Sequence, residues 1–291
     1  MSNYLFVLGA PDPEMAAIEN LLRECGQISI QAVVDGARVR PGNAYKYSVS
    51  RGQLAEGGFG ETMASGATLV FVECGADPLP PNSIRVDHHR PGDPGHGKPP
   101  EDFLSASSLG QVLEILGYRA SVAEDSARRW GCIAGSPAEQ AGWERGDEWA
   151  MTAAADHCLA AAYRGECPGI DPQALRVWRI KSRAEFQGRS ELEILADVER
   201  AESALKSAPR IEIGGVEVAD LRGPVIPELP EAATYLGIAY LASIAERDGR
   251  EKVVVSGSEL MLREFISSWA HAQGLTGIYG DPVRGFAGAY V

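Results

Sequence analysis

The sequence contains few cysteines, and none of them forms the close pairs that structural zinc sites use. Five cysteines occur in 291 residues, an odd number, and no two are separated by only two residues. Disulfide frameworks and zinc ribbons are built from even or regularly spaced sets of cysteines. We therefore expect reduced thiols, no zinc ribbon and a cytoplasmic protein.

Long apolar runs are also lacking. The best candidate, AATYLGIAYLASIAERDG at residues 232–249, becomes charged after about fourteen residues, which is short of the roughly 20 that a membrane span needs. We interpret it as a buried helix covering about residues 230–247. The N-terminal segment has no basic leader before its apolar residues, so a secretory signal is not expected. The sequence predicts no membrane association.

Positive charge is scarce. Lysine and arginine number 27 against 40 acidic residues, which gives a net charge of −13. Proteins that bind long duplexes neutralise many phosphates with basic side chains, so long duplex nucleic acid is not an expected partner. A small nucleotide or a short oligonucleotide remains compatible with this charge, because screening limits the mean field to about 8 Å at physiological salt.

What the sequence does have is an alternation of short apolar runs and amphipathic segments. Four β-branched runs without polar alternation occur at residues 4–9, 28–34, 67–74 and 83–86. Such runs are typical of strands that are covered on both faces, and the segments between and after them have helical spacing. The pattern predicts an α/β fold whose N-terminal domain contains a doubly wound parallel sheet.

The second half of the chain predicts a further, smaller α/β domain. We place the N-terminal domain at residues 1–185, a connecting helix at 186–209 and the C-terminal domain at 210–291. A hairpin around Gly214 and Gly215 opens this last domain, and a strand pair closes it. The sequence does not fix the oligomeric state, and a homodimer is compatible with it.

Acidic residues and histidines follow three of the predicted strands, and a further pair lies in an alanine-rich helical stretch. The residues are Asp12 and Glu14, Glu73, Asp87 with His88 and His89, and Asp156 with His157. The carboxyl ends of parallel strands are where ligands bind in such sheets. Clustered carboxylates raise one another's pKa unless a cation lies among them. Oxygen ligands with an imidazole favour Mn²⁺ or Mg²⁺; the alternative is that each cluster is a solvated loop.

Several stretches resemble the motifs of the DHH phosphoesterase family. VDHHRPGDPGHGKPPEDFLSASSLGQVLEIL, residues 86–116, resembles its third motif, an Asp-His-His followed by a helix that opens in Ala-Ser-Ser. TLVFVECG, ending at Gly75, resembles the second motif with Glu73 in place of Asp. VLGAPDPEMAAIENLL resembles the first motif, with Gly9 in place of His and Glu14 in place of the second Asp.

The resemblance continues to the end of the chain. AAADHCLAAAYRGECPGI, residues 153–170, resembles the fourth motif of the RecJ-like branch of the family. GDPVRGFAGAYV at the C-terminus is similar to the glycine-rich substrate-binding segment of the domain associated with DHH proteins, although it lacks the usual histidine. The motifs occur in the family's order and span most of the chain.

This resemblance implies roles for particular residues. It implies a pair of Mn²⁺ or Mg²⁺ ions, with Glu73 bridging them. The implied metal ligands are Asp12, Glu14, Glu73, His88 and Asp156; the implied catalytic residues are His89, facing the phosphate as donor or proton shuttle, and Asp87, which orients an imidazole. The implied substrate-binding residues are Arg284, Gly285, Gly288 and His157, of which His157 has packing within its helix as an alternative role.

The sequence thus favours a metal-dependent phosphoesterase that hydrolyses a short oligonucleotide, a cyclic dinucleotide or a small nucleotide phosphate. Two alternatives stay open. One is a catalytically inactive nucleotide-binding or regulatory protein on the same scaffold, since Gly9 removes an expected metal ligand and leaves the choice between one and two ions unresolved. The other is a 5′ single-strand exonuclease, as the RecJ-like fourth motif suggests.

Overall fold

A computed structural model describes residues 4–46, 66–75, 79–122, 128–132, 146–223, 225–246 and 249–291. The chain divides into two compact units, Met1–Ser182 and Arg183–Val291. The α/β fold class predicted from the sequence is confirmed, with a parallel sheet in the first unit and a mixed sheet in the smaller second unit. In the described part of the chain, no helix combines the length and the apolar character that a membrane crossing requires.

The first unit is built on a four-stranded parallel sheet. The strands of the whole unit, in the described residues, are β1 (Tyr4–Leu8), β2 (Ile28–Gln31), β3 (Val33–Val34), β4 (Ala37–Arg38), β5 (Thr68–Val72), β6 (Ile84–Val86), β7 (Tyr118–Val122) and β8 (Arg128–Cys132). The parallel sheet has the order β2-β1-β5-β6, while β3 pairs with β4 and β7 with β8. β2 is an edge strand and largely exposed, so its apolar residues do not mark two covered faces.

Helices cover one face of this sheet. Among the described residues the helices of the unit are α1 (Pro13–Glu24), α2 (Phe103–Ala106), α3 (Ser108–Ile115), α4 (Gly146–His157), α5 (Leu159–Tyr163) and α6 (Pro172–Gln187), which runs past the unit boundary. Phe6 and Val72 of the sheet pack with Ile18 of α1 and Val112 of α3 in one buried cluster. On the opposite face, Phe71 packs with residues of the segment 32–44.

The second unit contains a six-stranded mixed sheet of order β13-β14-β12-β11-β10-β9. Its strands are β9 (Arg210–Ile213), β10 (Val216–Leu221), β11 (Tyr240–Ala245), β12 (Glu251–Ser256), β13 (Thr276–Asp281) and β14 (Phe286–Tyr290). Its helices are α7 (Glu191–Ser207), α8 (Leu229–Leu236), α9 (Glu259–Glu264), a π-helical turn (Phe265–Trp269) and α10 (Ala270–Ala272). The segment 186–209, predicted as a connecting helix, contributes α7 to this unit, and α7 packs against α8 and β10.

One predicted helix of this unit is wrong. The sequence predicts a single buried helix over residues 230–247, but α8 ends at Leu236 and β11 begins at Tyr240. Gly237 adopts a left-handed conformation with φ of 65° and caps the helix, which glycine does without a side-chain clash. β11 then lies inside the sheet between β10 and β12. Its first four residues are buried in succession, so the strand shows no polar alternation.

Candidate metal centre

The carboxyl ends of β1, β5 and β6 lie side by side. Leu8 pairs with Val72, and Val72 pairs with Val86, each the last residue of its strand. The backbone ladder continues for one step beyond the strands, because the amide of Glu73 donates to the carbonyl of Val86 at 2.9 Å. Gly9, Glu73 and Asp87 therefore follow directly at one edge of the sheet, as the sequence predicts for a ligand-binding edge.

Gly9 has no room for a side chain. Its amide donates to the carbonyl of Val72 at 2.9 Å, which holds the two backbone segments after β1 and β5 close together. A Cβ atom at this position would lie 2.5 Å from the carbonyl oxygen of Glu73 and 2.9 Å from that of Val72. Only glycine allows so close an approach of two backbones. The imidazole that the DHH pattern has here therefore cannot be accommodated with this backbone.

Asp12 and Glu14 lie at the start of α1. Asp12 is the N-cap residue, and its Oδ1 accepts a hydrogen bond from the amide of Met15 at 2.6 Å. Glu14 is only 2% exposed, and its Oε1 accepts from the amide of Leu109, in the first turn of α3, at 2.9 Å. Both carboxylates thus bind amides at helix N-termini, where the helix dipole favours negative charge. Oε2 of Glu14 is left facing the interior of the site.

Glu73 occupies an unusual backbone conformation. Its φ angle of 51° places a residue with a side chain in the left-handed region. Such strain costs on the order of 1–3 kcal/mol and is concentrated at functional sites. The conformation turns the chain sharply after β5, and the Glu73 carboxylate comes to lie 3.5 Å from Nε2 of His88.

His88 is at the centre of the cluster. Its Nε2 lies 2.8 Å from Oδ2 of Asp156, 3.5 Å from Oε1 of Glu73 and 3.9 Å from Oε2 of Glu14. One ligand atom from each of these four residues falls within 4.8 Å of all the others. A second group of the same kind joins Glu73 and His88 to His89. The structure therefore brings together four of the five sequence-predicted metal ligands, and Asp12 belongs to neither group.

The buried atoms of this cluster lack partners of their own. Oε2 of Glu14 and Oε1 of Glu73 are shielded from solvent without a hydrogen-bond partner, and Nε2 of His88, although 2.8 Å from Oδ2 of Asp156, makes no hydrogen bond of good geometry. Unsatisfied buried polar atoms are rare in folded proteins, and a cation bound among these three atoms would satisfy all of them. Three carboxylates with one imidazole suit a hard divalent cation such as Mn²⁺ or Mg²⁺. The residues present therefore fit a divalent ion.

The nearby thiol is not arranged as a ligand. Cys74 follows Glu73 but is fully buried, and its Sγ contacts the carbonyl oxygen of Val7 at 3.3 Å. Burial, together with the negative charges of Asp87 and Glu73, raises the pKa of the Cys74 thiol well above its usual value. A thiol that stays protonated is a poor metal ligand, so the cluster does not resemble a zinc-thiolate site.

Without an ion, protons must balance the charge of the cluster. Burial, followed by the charges of Glu73 and Asp156, raises the pKa of Asp12 to about 7, and burial raises that of Glu14 well above its usual value. Burial also opposes charge on His88 and Asp156, but their mutual contact outweighs it. The pKa of His88 rises to about 10 and that of Asp156 falls to about 2. The raised pKa values show that positive charge, from protons or a cation, is favoured in this site.

Asp87 is not part of the ligand cluster. It is fully buried, and its Oδ1 accepts from the amides of His88 and His89 at 2.8 and 3.0 Å and contacts Nδ1 of His89 at 2.9 Å. Its Oδ2 accepts from the hydroxyl of Tyr45 at 2.8 Å. With both oxygens used in this way, Asp87 fixes the ring of His89, whose side chain is 23% exposed. Whether His89 and Asp87 are catalytic stays a prediction.

Sequence reasoning missed the residues that hold Asp87 in place. Tyr45 lies in a loop segment with arginines and a lysine, and nothing in that pattern marks it as a support for Asp87. Gln111 of α3 receives a hydrogen bond from the Asp87 amide at 3.2 Å and donates to the Asp87 carbonyl at 3.0 Å. In the sequence, Gln111 is marked only as a polar residue among the apolar residues of α3.

The predicted substrate-binding residues have varied surroundings. His157 contacts His88 and a backbone carbonyl. Arg284 and Gly285 lie in the turn between β13 and β14 of the second unit, where Arg284 is exposed and its guanidinium lies 6.0 Å from the ring of Phe286. Gly288 is buried in β14, and a Cβ there would lie 2.3 Å from the hydroxyl oxygen of Tyr279. Its lack of a side chain therefore accommodates Tyr279.

Comparisons with known proteins add little to this picture. No family model matches the sequence, and no curated protein is matched. Among solved structures, the chain is similar to a pGpG-specific phosphodiesterase, PggH, from Vibrio cholerae, with 11% sequence identity and a TM-score of 0.39. The similarity covers 100% of this chain and 92% of the other. A likeness of this degree carries no functional argument.

Proposed function

We propose that this protein is a divalent-metal-dependent phosphoesterase of the DHH type, acting on a short oligonucleotide, a cyclic dinucleotide or a small nucleotide phosphate. The observation that carries the proposal is the meeting of Glu14, Glu73, His88 and Asp156, with buried carboxylate oxygens of Glu14 and Glu73 that make no hydrogen bond. These four residues would hold Mn²⁺ or Mg²⁺. Such an ion, when bound, lowers the pKa of a coordinated water and neutralises charge on phosphoryl oxygens.

The chain's own residues supply orientation and a proton-handling group. In this proposal His89 faces the phosphate, because its Nδ1 is engaged by Asp87 and its Nε2 is left for the substrate. The buried Asp87 carboxylate holds the proton of His89 on Nδ1, which is the usual way in which a carboxylate sets the tautomer of an imidazole. His89 can then accept a proton at Nε2 or, once protonated, donate a hydrogen bond to a phosphoryl oxygen.

The decisive experiment is hydrolysis with added Mn²⁺. The substrates are linear dinucleotides, cyclic dinucleotides, phosphoadenosine phosphate and bis(4-nitrophenyl) phosphate, and Mn²⁺ binding is measured in parallel by calorimetry. We expect turnover of at least one substrate, with loss of activity and of Mn²⁺ binding in Asp156→Asn and His88→Asn. Glu114→Gln, which changes an exposed carboxylate on α3 of the same unit, is the matched control and should retain both properties.

A binding protein without catalytic activity is the second candidate, and Gly9 favours it. The crowding of Gly9 by the Glu73 carbonyl excludes the imidazole expected for a second ion, and Asp12 is engaged in capping α1. Mn²⁺ and nucleotide binding without turnover of any substrate would support this candidate over the phosphoesterase. Release of mononucleotides from long single strands would instead favour an exonuclease.

The proposal extends to the second unit. There Arg284, with Gly285, is proposed to bind the substrate phosphate, because an exposed guanidinium in a glycine-containing turn suits an anion; Gly288, buried against Tyr279, is left out of this proposal. We expect Arg284→Gln to raise KM with little change in kcat. A fall in kcat at unchanged KM would argue against this role. Arg263→Gln, on the exposed side of α9, is the matched control.

A further inference from the structure

His157 makes two polar contacts through its ring, and neither is directed to a substrate. It is the last residue of α4, directly after Asp156. Its Nε2 lies 3.1 Å from the carbonyl oxygen of Lys98, and its Nδ1 lies 3.1 Å from Nδ1 of His88. The rings of His157 and His88 are 5.3 Å apart. His157 therefore connects a surface loop to the central histidine of the ligand cluster.

The direction of these hydrogen bonds follows from the chemistry of the groups. A backbone carbonyl can only accept, so Nε2 of His157 carries a proton that it donates to Lys98. A neutral His157 then has its lone pair on Nδ1, and that atom can only accept. The contact with His88 consequently requires a proton on Nδ1 of His88. The remaining nitrogen of His88, Nε2, is the atom that faces Glu14, Glu73 and Asp156.

The loop that supplies the Lys98 carbonyl is itself anchored to the site. The amide of Gly95 donates to the carbonyl of Asp87 at 3.0 Å, and the amide of Lys98 donates to the carbonyl of Gly95 at 3.4 Å. Gly95 also has no room for a side chain, since a Cβ there would lie 1.9 Å from the carbonyl oxygen of Ala106 and 2.7 Å from Cβ of His88. The carbonyl that fixes His157 is thus held in a defined position relative to His88.

We propose that His157 is a positioning residue, which keeps the proton of His88 on Nδ1 and so presents Nε2 of His88 to a divalent cation. This inference rests on the metal-binding part of the proposed function. It replaces the substrate-binding role that the sequence predicts for His157. Histidine ligands generally donate their second nitrogen to a carbonyl or carboxylate, and loss of such a partner lowers metal affinity roughly 10–100-fold; here a second histidine fills that role.

Two substitutions separate the two ends of the His157 ring. The Oδ1 atom of an asparagine side chain lies near the position of Nδ1 and can accept from His88, whereas the side chain of glutamine extends to the position of Nε2 and lacks an acceptor near His88. We expect His157→Gln to weaken Mn²⁺ binding roughly 10–100-fold, and His157→Asn to keep most of the wild-type affinity. Thermal unfolding of both variants shows that they are folded.

Nuclear magnetic resonance of ¹⁵N-labelled histidine tests the hydrogen bond directly in the ion-free protein. The wild type should show an unprotonated Nδ1 on His157 and a slowly exchanging proton on Nδ1 of His88. In His157→Gln the slow exchange should be lost. A protonated Nδ1 on His157 in the wild type would overturn the inference, and so would wild-type Mn²⁺ affinity in His157→Gln.

The same experiments distinguish failure of the inference from failure of the proposed function. Tight Mn²⁺ binding that depends on His157, without hydrolysis of any substrate, would leave the inference standing and remove the phosphoesterase. Hydrolysis by both the wild type and His157→Gln with equal Mn²⁺ affinity would do the reverse. A wild type that binds no Mn²⁺ at all would overturn both.

Discussion

Gly9 shows how one residue can decide the character of a site. In the sequence it is a substitution for a histidine of the DHH pattern, and that pattern suggests a lost ligand. In the structure, the carbonyl oxygens of Val72 and Glu73 occupy the space where a Cβ would lie. Glu73 in turn has the left-handed conformation that ends β5. The absence of a side chain at position 9 and the strained turn at position 73 therefore belong together.

The substitution Gly9→Ala tests this relation. The added Cβ meets two backbone carbonyls, which cannot move as a flexible side chain could, so we expect destabilisation of about 1–3 kcal/mol and weaker Mn²⁺ binding through a displaced Glu73. Gly42→Ala is the matched control, because nothing lies within 4 Å of its added Cβ. Denaturant unfolding and calorimetry measure the two effects. Equal stability of the two variants would contradict the crowding.

Tyr45 gives a second test at the scale of single residues. Burial alone would raise the pKa of Asp87, but hydrogen bonds from His89 and Tyr45 outweigh it and hold this pKa below its ordinary value of 3.8. Tyr45→Phe removes one donor and keeps the ring on which the Arg90 guanidinium stacks at 3.2 Å. We expect the free energy of unfolding to fall by about 1.5 kcal/mol at neutral pH, as is typical of the loss of a hydrogen bond to a charged group.

The pH dependence of that loss has a defined sign. A lowered folded-state pKa stabilises the fold above the unfolded-state value, and this contribution disappears as the pH falls through the folded-state pKa. The stability difference between wild type and Tyr45→Phe should therefore be full at neutral pH and shrink below pH 3.8. Tyr4→Phe, which keeps the ring contact with Phe6, is the control. A difference that grows in acid would refute the role of Tyr45.

At the scale of elements, the segment from the junction of α4 and α5 to the turn after α5 brings two cysteines into contact. Cys158 caps α5, and its Sγ lies 2.9 Å from Sγ of the buried Cys167. Nine positions separate them in the chain, so no paired-cysteine motif marks them. The sequence predicts reduced thiols but does not predict this contact, which depends on the turn following α5.

This contact predicts intramolecular oxidation. Oxidised glutathione should exchange with Cys158 and Cys167 to give one disulfide between them and two molecules of reduced glutathione. Closing so short a loop is expected to stabilise the protein by about 2–3 kcal/mol. The measurement is alkylation of free thiols after this treatment. The wild type should lose two alkylatable thiols, whereas Cys167→Ser should form a glutathione adduct. Unchanged alkylation of both cysteines would count against their proximity.

The element predicted least well is the segment that became α8 and β11. Its apolar composition predicts burial correctly, and the buried residues of both elements bear this out. Periodicity cannot separate a short buried helix from a buried strand. Gly237 marks the change, but glycine within an apolar run is also tolerated in helices. Pairing of β11 with β10 and β12 decides the outcome, and those partners are set by the whole sheet.

At the scale of the whole molecule, charge governs which polyanions can approach. A net charge of −13 repels long nucleic acid, whereas the ligand cluster acts only over a short range. The assay is Mn²⁺-dependent hydrolysis of a labelled dinucleotide at physiological salt. We expect added long duplex DNA to leave its rate unchanged, and added unlabelled dinucleotide to inhibit it. Strong competition by the duplex, weakening steeply with salt, would show instead that a basic surface binds phosphates.

The sequence by itself determined the α/β class, the strands of the parallel sheet and the acidic residues that follow them. Strand patterns are local, and the carboxyl ends of parallel strands meet whatever the details of packing. Glu73 and His88 could therefore be placed at one edge of the sheet from the sequence. Glu14 was placed at the same edge and Asp156 was singled out in a helical stretch, while the resemblance to motifs implied their roles as metal ligands; the structure brings all four residues together.

Only the tertiary structure decided how these residues are supported. Tyr45 reaches Asp87 across 42 positions of the chain, and His157 reaches His88 across 69. The space closed to a side chain at Gly9 is set by a neighbouring strand. Such contacts depend on distances between remote segments, which no local pattern encodes. The sequence therefore specified the kinds of side chain at this edge of the sheet, while packing specified which oxygen and nitrogen atoms face one another.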